Sequence, residues 1–445
     1  MRYAKKLALS MPLDACVAPG AKARPVPTID DRPDRLDGRP RGQPHAGCPE
    51  LFRIDNVTTT AGLAALRPTW EALSADADMA SPFNSWLWQW AWWEVFGAGK
   101  DLCIYVVWDG PRAIAIAPFY VLRYGRGPVA LRVLLPLGYG NDLTERMEHL
   151  VATGYRAAAL AALAAHLARV ARWDLLVWQG VASDDLSPSL RARQRVTQMV
   201  PYAVRSLPPT WEAFVAGLST RTRANLRYYP NRLARHGHTA RVRMVADPDA
   251  LGLALATFVR LHATRAAWSG GSPHSDHSDR FAHARHRAFL ALLAPALAAQ
   301  GQFRVALLAV DGRDVAAQLV FEHAGTLSLY YSGVDPAWLP YGVGFQLTAA
   351  CLRDAMERGV RRLDWLHGTA GHWKQRWGTT EEPVPRLAFV GDKLRARIAY
   401  AAYAVLRGSV YDRAGRARVA APYGVAAEYR LLQGLATLLR QPRIG

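Results

Sequence analysis

Lys374 stands out by its rarity. It is the only lysine between Lys100 and Lys393, in a chain whose 55 basic residues are almost all arginine. A compact ammonium on a flexible stem can stabilise a developing oxyanion or position a carbonyl, and a guanidinium is not an equivalent substitute. The bland alternative is a solvated surface lysine. Ten residues earlier, Asp364 interrupts the apolar run Leu363-Asp364-Trp365-Leu366. A carboxyl there either does chemistry or accepts a structural hydrogen bond from the following loop. Between Arg221 and Arg243 lie seven arginines and no acidic residue, interleaved with Tyr228 and Tyr229. That composition suits a phosphate-bearing ligand, RNA or a nucleotide sugar among them, or a solvated helix face. His274, His277, His283 and His286 form two His-x-x-His pairs. The first pair lies in a Ser/Gly-rich loop and lacks the helical context of zinc motifs, so a polar loop and no metal are expected. No Ser/His/Asp or Cys/His nucleophile motif is present, and Cys16, Cys48, Cys103 and Cys351 have neither metal nor redox spacing.

The elements that position these residues recur twice. In the first half, residues 102–108 form a strand, Asp109-Gly110 a turn, and residues 113–122 and 129–135 two further strands. A helix over 155–172 and a strand over 174–178 complete this set. In the second half the same order runs through strands at 303–310, 314–321 and 326–332, with Asp311-Gly312 between the first two. A helix over 342–358 and a strand over 362–366 follow. Asp-Gly between β-rich runs is a hairpin signal. Strand, hairpin, strands, helix, strand occurring twice predicts an α/β fold of duplicated mixed-sheet units.

Residues 63–96 read as helical, ending in an aromatic block whose Trp86, Trp90 and Trp93 fall on one face. Core packing and ligand stacking are both open to it. Two further helical stretches, 211–236 and the pair 249–268 and 280–299, separate the halves. The resulting division is a disordered leader over 1–50, a first domain over 51–205 and a helical linker or insertion over 206–300. A second domain covers 301–390 and a basic helical tail 391–445.

Composition limits the function classes. The chain has 445 residues, is 51% hydrophobic and carries a formal charge of +19. The length supports two domains, each with its own core. No apolar run reaches the length of a membrane span, and the start lacks the apolar core of a signal peptide, so a cytoplasmic location is expected. The charge favours anionic partners without choosing among them. The basic tail invites either docking on the second domain or an anionic membrane surface.

The segment Tyr330-Tyr331-Ser332-Gly333-Val334-Asp335-Pro336, the turn Tyr341-Gly342-Val343-Gly344 and the run His372-Trp373-Lys374-Gln375-Arg376-Trp377-Gly378 resemble the GNAT acetyltransferases of the BioF2-like and CelD-like group. These are related to the FemAB peptidyltransferases. The resemblance extends over roughly residues 55 to 390, including Thr220-Arg221-Thr222-Arg223-Ala224-Asn225-Leu226-Arg227. It implies two GNAT-like domains joined by helices, with the active cleft mainly on the second.

It further implies transfer of an acyl group, acetyl above all, from an acyl-CoA to an amine or hydroxyl of a small sugar or amino-acid-like acceptor. Exopolysaccharide or cell-envelope synthesis is the implied setting, with peripheral membrane or polysaccharide-synthase association and no specific nucleic-acid partner. In such a site the helix start at Gly342, Gly344, Phe345 and Gln346 would take the cofactor pyrophosphate on free N–H groups. The usual Gln or Arg three residues before Gly-x-Gly is missing here. By the same resemblance Lys374, Asp364 and Tyr341 are the catalytic candidates: Lys374 for the oxyanion, Asp364 for acceptor binding or as general base, Tyr341 to protonate the leaving thiolate. Trp373, Gln318, Tyr330, Arg223 and Arg227 are the candidates for the acceptor cleft. Two other readings stay open: a FemAB-type enzyme using aminoacyl-tRNA, and a non-catalytic scaffold.

Overall fold

A computed structural model describes residues 52–124, 130–170, 173–268, 278–367 and 373–401. The leader over 1–50, the loop histidines His274 and His277, residues 368–372 with Gly368 and His372, and the tail beyond 401 lie outside them. The described residues fall in one compact unit, His45–Gly445.

The first half runs β1 (Arg53–Val57), α1 (Thr60–Ala65), α2 (Arg67–Ala75), α3 (Trp86–Phe96), β2 (Asp101–Asp109), β3 (Arg112–Tyr124), β4 (Leu131–Pro136), β5 (Leu150–Val151), α4 (Arg156–Val170), β6 (Leu175–Gln179), α5 (Pro188–Arg191) and β7 (Gln194–Ser206). After α6 (Trp211–Ala216) and α7 (Thr220–Arg235), the second half repeats that order. It runs β8 (Ala240–Val245), α8 (Pro248–Ala267), α9 (Ala284–Ala299), β9 (Phe303–Val310), β10 (Arg313–His323), β11 (Thr326–Val334), α10 (Val343–Glu357), β12 (Arg362–His367) and β13 (Thr380–Val390). The two Asp-Gly turns close the β2–β3 and β9–β10 hairpins. Asp311 and Gly312 both adopt positive φ, the geometry that matches strand twist.

Five strands lie where no strand was read: β1, β5, β7, β8 and β13. β7 and β13 carry Pro201, Pro383 and Pro385, residues that argue against a central strand because they cannot donate to a ladder. Yet they are central, and they cross over. The sheet order is β1-β2-β3-β4-β6-β13-β7-β12-β11-β10-β9-β8, with β5 beside β3. Each half therefore ends in a strand inserted next to the other half: β13 pairs with β6, and β7 with β12. β8, inside the stretch read as helical, extends the second half's sheet through β9.

The stretch read as one helix over 63–96 breaks at Pro68 and Pro82. Its aromatic block is core, and the burial reaches beyond the face expected. Trp88 and Trp92 are fully buried, whereas on the expected face Trp86 is buried and Trp90 and Trp93 are half-buried. Trp88 meets Phe289 of α9 at 5.1 Å and Phe321 of β10 at 5.6 Å, so the block joins the halves.

The strap between β4 and β5 ties the halves a second time. Asp142 accepts from Arg280 at 2.6 Å, and its carbonyl takes the Tyr331 hydroxyl at 2.5 Å. The Tyr330 hydroxyl donates to Leu143 O, Trp88 Nε1 to Thr144 Oγ1 at 3.0 Å, and Tyr202 to Glu145 O at 2.5 Å. Arg146 then contacts three carboxylates: Asp364 of β12 at 2.6 Å, Glu382 of β13 at 2.9 Å and Glu148 at 3.0 Å. Its guanidinium lies 3.9 Å from the centre of the Tyr202 ring. Burial opposes the charge, but Asp364 and Glu148 outweigh it and hold the Arg146 pKa above its usual value.

Removing a buried cation strands its carboxylates. Arg146→Met is expected to destabilise the fold by about 3–5 kcal/mol in urea denaturation. Arg353→Ala, at an exposed pair with Glu357, is expected to cost under about 1 kcal/mol. Equal effects would show that the buried cluster does not hold the halves together.

Candidate active site

Parallel strands β11 and β12 pair only through Thr326–Ser328 and Arg362–Asp364, then diverge. At the divergence β12 bulges. Its register with β7 shifts between Asp364 and His367, and Leu366 sits at φ 60° in the left-handed region. Such backbone costs a non-glycine residue about 1–2 kcal/mol. Asp364 offsets it by accepting the Leu366 N–H at 2.9 Å through Oδ1, while Oδ2 takes Arg146 Nε at 2.8 Å. Asp364 is thus held on both oxygens.

Lys374 lies on a short 3-10 helix, Trp373–Trp377, and its ammonium donates to Trp365 O at 2.6 Å and to His367 O. It caps the carbonyls that the bulge turns out of the sheet. Burial lowers its pKa to about 8, and nearby Glu145 and Asp364 limit the fall. Glu145 enters from the first half's strap. Burial raises its pKa, with Lys374 and the His367 N–H working against the shift. Burial and the charge of Lys374 lower His367 to about 4. A carboxylate made more basic beside an ammonium made more acidic can pass protons near neutral pH.

The remaining candidates divide among four places. Trp373, 43% exposed, stands edge-on to Trp365 at 5.0 Å, next to Lys374. Gln318 and Tyr330 are engaged in the fold. Gln318 Nε2 donates to Leu319 O at 3.0 Å and Tyr331 O at 3.2 Å across a bulge. Tyr330 packs on Phe83, Trp88 and Phe321, and its pKa is pushed well above the usual value, first by burial. Tyr341, Gly342, Gly344, Phe345 and Gln346 sit at the start of α10, which has no side-chain cap. There the Tyr341 hydroxyl pairs with His236 Nδ1 at 2.9 Å, and Arg232 lies over its ring.

Gly342, at φ 61°, lies under Tyr229; a Cβ there would come within 2.6 Å of the ring. Phe345 stacks on Trp377 at 4.5 Å, and Gln346 Nε2 donates to Tyr341 O at 3.0 Å. Arg223 and Arg227 line a groove between α6, α7 and α10. His286 of the second histidine pair bonds Arg280 O at 2.6 Å.

The corresponding helix start in the first half, at α4, carries mixed charge, with Arg112 paired to Asp76 and lying over the Tyr155 ring. Thr153 donates to Asp78 at 2.6 Å and Tyr155 to Asp109 at 3.0 Å, with Asp76 alongside. Carboxylates at a helix N-terminus compete with any anionic ligand. The first half's own cleft region is crossed by the strap. Glu148 packs against Gly180, and His149 lies between Phe119 and Trp178 with its pKa lowered to about 3 by burial and Arg156.

Splayed parallel strands with an uncapped helix start at their mouth define the GNAT fold. Residues 220–375 match the family model described as acetyltransferase (GNAT) domain. The described chain also superposes on the crystal structure of FemX with a TM-score of 0.51 and 11% identity, covering 76% of this chain and 97% of that one. A tandem GNAT protein from the clavulanic acid biosynthesis pathway aligns at 13% identity and TM-score 0.41, over 76% and 98% of the two chains. L-PGS from Bacillus licheniformis aligns at 13% and 0.43, over 73% and 92%. No curated protein sequence matches. Residues 220–375 therefore carry a GNAT domain, and the likeness to FemX extends a common fold over most of the described chain. Among the described residues no helix is long and apolar enough to cross a membrane.

Glu145 and Arg146 went unnoticed in the sequence. The run Glu145-Arg146-Met147-Glu148-His149 has no catalytic spacing, and only its charge density directly before the apolar Leu150-Val151 hints at burial.

With six lysines in the chain, the Lys374 ammonium is resolvable by 15N NMR. Its titration midpoint is expected near pH 8. Glu145→Gln removes a negative charge that favours the ammonium, so the midpoint should fall further. A midpoint at the ordinary lysine value in both proteins would disprove the coupling.

Proposed function

We propose that the second half transfers an acyl group, acetyl above all, from an acyl-CoA to an amine or hydroxyl on a sugar-like or amino-acid-like acceptor. The observation that supports this reading is the buried Lys374 ammonium on Trp365 O and His367 O, where β11 and β12 diverge, with Glu145 of the strap close enough to oppose the fall of its pKa. The acceptor attacks the thioester carbonyl, its proton passing to Glu145 as the C–N or C–O bond forms. In this scheme the Lys374 ammonium stabilises the charge that develops on the carbonyl oxygen. The C–S bond then breaks, and the departing thiolate is protonated from the cluster or from solvent.

Asp364 acts through Arg146 and Leu366 as a positioning residue in this scheme, and Tyr341 belongs to the donor mouth. The uncapped start of α10 with Arg232, His236 and His238 around it suits a pyrophosphate, whereas the acid-lined start of α4 does not. One donor site per chain follows, in the second half. The exposed Trp373 ring offers a flat apolar face to a sugar.

Calorimetry with acetyl-CoA on wild type and Gly344→Glu tests the donor. The wild type should bind saturably, and the variant, with a carboxylate at the helix start, at least about tenfold more weakly. Glu145→Gln and Lys374→Ala should keep donor binding while lowering turnover by about a hundredfold or more. Absence of binding by any CoA species would overturn the donor assignment. Mass spectrometry showing an aminoacyl group on product would move the reading to an aminoacyl-tRNA enzyme. Full turnover by Lys374→Ala would remove the proposed chemistry.

A further inference from the structure

The groove that holds Arg223 and Arg227 is open to solvent, and no residue of the Lys374 group lines it. It has a volume of about 650 Å³, within the range of small-molecule pockets. Trp211 and Val215 of α6, Ala224 and Leu226 of α7, and Ala349 and Ala350 of α10 form an apolar floor. Three guanidiniums, Arg223, Arg227 and Arg353, stand around it.

Arg223 is fixed by donating to Leu218 O at 2.6 Å and Ala216 O at 3.0 Å at the end of α6. Those acceptors are neutral, so its charge remains available. Arg227 has no hydrogen-bond or ion-pair partner among the described residues. The acidic side chains on these elements are few. Glu357 pairs with Arg353 at 3.0 Å, Asp354 pairs with Arg358, and Glu212 lies exposed at the first turn of α6. Two of the three positive charges are therefore not neutralised by a carboxylate.

An unneutralised arginine cluster over an apolar floor matches one ligand chemistry: a phosphate joined to an apolar body. Guanidiniums bind phosphate oxygens in bidentate pairs, and the small Ala349 and Ala350 leave room for hydrocarbon beside them. We propose that this groove is a second binding site, for a phosphate ester with an apolar body, distinct from the donor mouth at the start of α10. The reading does not depend on acyl transfer in the second half. The groove still adjoins the catalytic segment, since Thr222 Oγ1 at the start of α7 donates to Arg376 O at 3.2 Å.

The test uses decyl phosphate in calorimetry, phosphatidic acid vesicles in sedimentation, and inorganic phosphate as the headgroup alone. Two variants are made in the full chain: Arg227→Ala with Arg353→Ala, and Ala350→Trp, which fills the floor. Saturable binding of decyl phosphate or of vesicles, weakened at least about tenfold by both variants and much stronger than inorganic phosphate, supports the site. Binding of decyl phosphate alone identifies a soluble ligand, and of vesicles alone a bilayer lipid. The proposal is overturned if neither probe binds, or if binding survives both variants. It is also overturned if acetyl-CoA displaces decyl phosphate competitively, because groove and donor mouth would then be one site. Preferential binding of single-stranded RNA at the same arginines, steeply weakened by salt, would replace it with a polynucleotide surface. Acetyl-CoA titrations on the same variants keep a failure here separate from a failure of the donor assignment.

Discussion

A guanidinium buried among three carboxylates is the constraint around which this molecule is organised. Arg146 comes from the first half's strap, Asp364 and Glu382 from two strands that follow the second half's helices, and Glu148 from the strap itself. Desolvating so many charges is unfavourable unless each finds its partner in good geometry. The arrangement is therefore demanding: if β12 or the strap moves by an ångström, Arg146 or Asp364 is left without compensation in a dry interior, whereas Glu382, at the edge of the cluster, keeps Arg362. That demand fixes the strap, and the strap brings Glu145 to the neighbourhood of Lys374. Position in the site and stability of the junction rest on the same few atoms.

The two halves share an order of elements but not a role. Both have parallel strands that part company and a helix that begins near the parting. In one half that helix start is crowded by Asp76, Asp78 and Asp109; in the other it is flanked by Arg232, His236 and His238. The first half has given up its cleft to the strap and supplies instead a carboxylate, a cation and an aromatic wall to its neighbour. The same plan thus carries two different electrostatic outcomes in its two halves.

The sequence made local order plain and hid long-range order. The hairpins at Asp109-Gly110 and Asp311-Gly312 were legible because the turn chemistry is local, and strands such as Phe303–Val310 because their alternation and apolar content are unbroken. β7 and β13 were not, since Pro201, Pro383 and Pro385 break the expected pattern, and what makes them strands is their mutual pairing across the junction. The site was half visible. Lys374 and Asp364 were noticeable as unusual residue types in their surroundings, while Glu145 and Arg146 sit in a charged run that resembles any solvated turn. Their importance comes from the Asp364, Lys374 and Tyr202 that meet them from more than fifty residues away, and nothing in the local pattern carries that information. The aromatic block was read correctly as packing material, yet its burial reaches beyond the face expected, because its partners Phe289 and Phe321 arrive from the other half.

The crossing of β7 and β13 also sets the order in which the chain can acquire its structure as it leaves the ribosome. β6, already beside β4, finds its second neighbour only when residues 380–390 have emerged, and β7 waits for β12 as well as β13. Until then the first half exposes an unpaired strand edge at β6. Closing the sheet joins segments about two hundred residues apart, the kind of non-local pairing that slows folding and leaves partly folded chains open to association. The nascent first half thus persists as an incomplete sheet until the second half's last strand has emerged. The charged strap it carries meets its Asp364 and Glu382 partners only then.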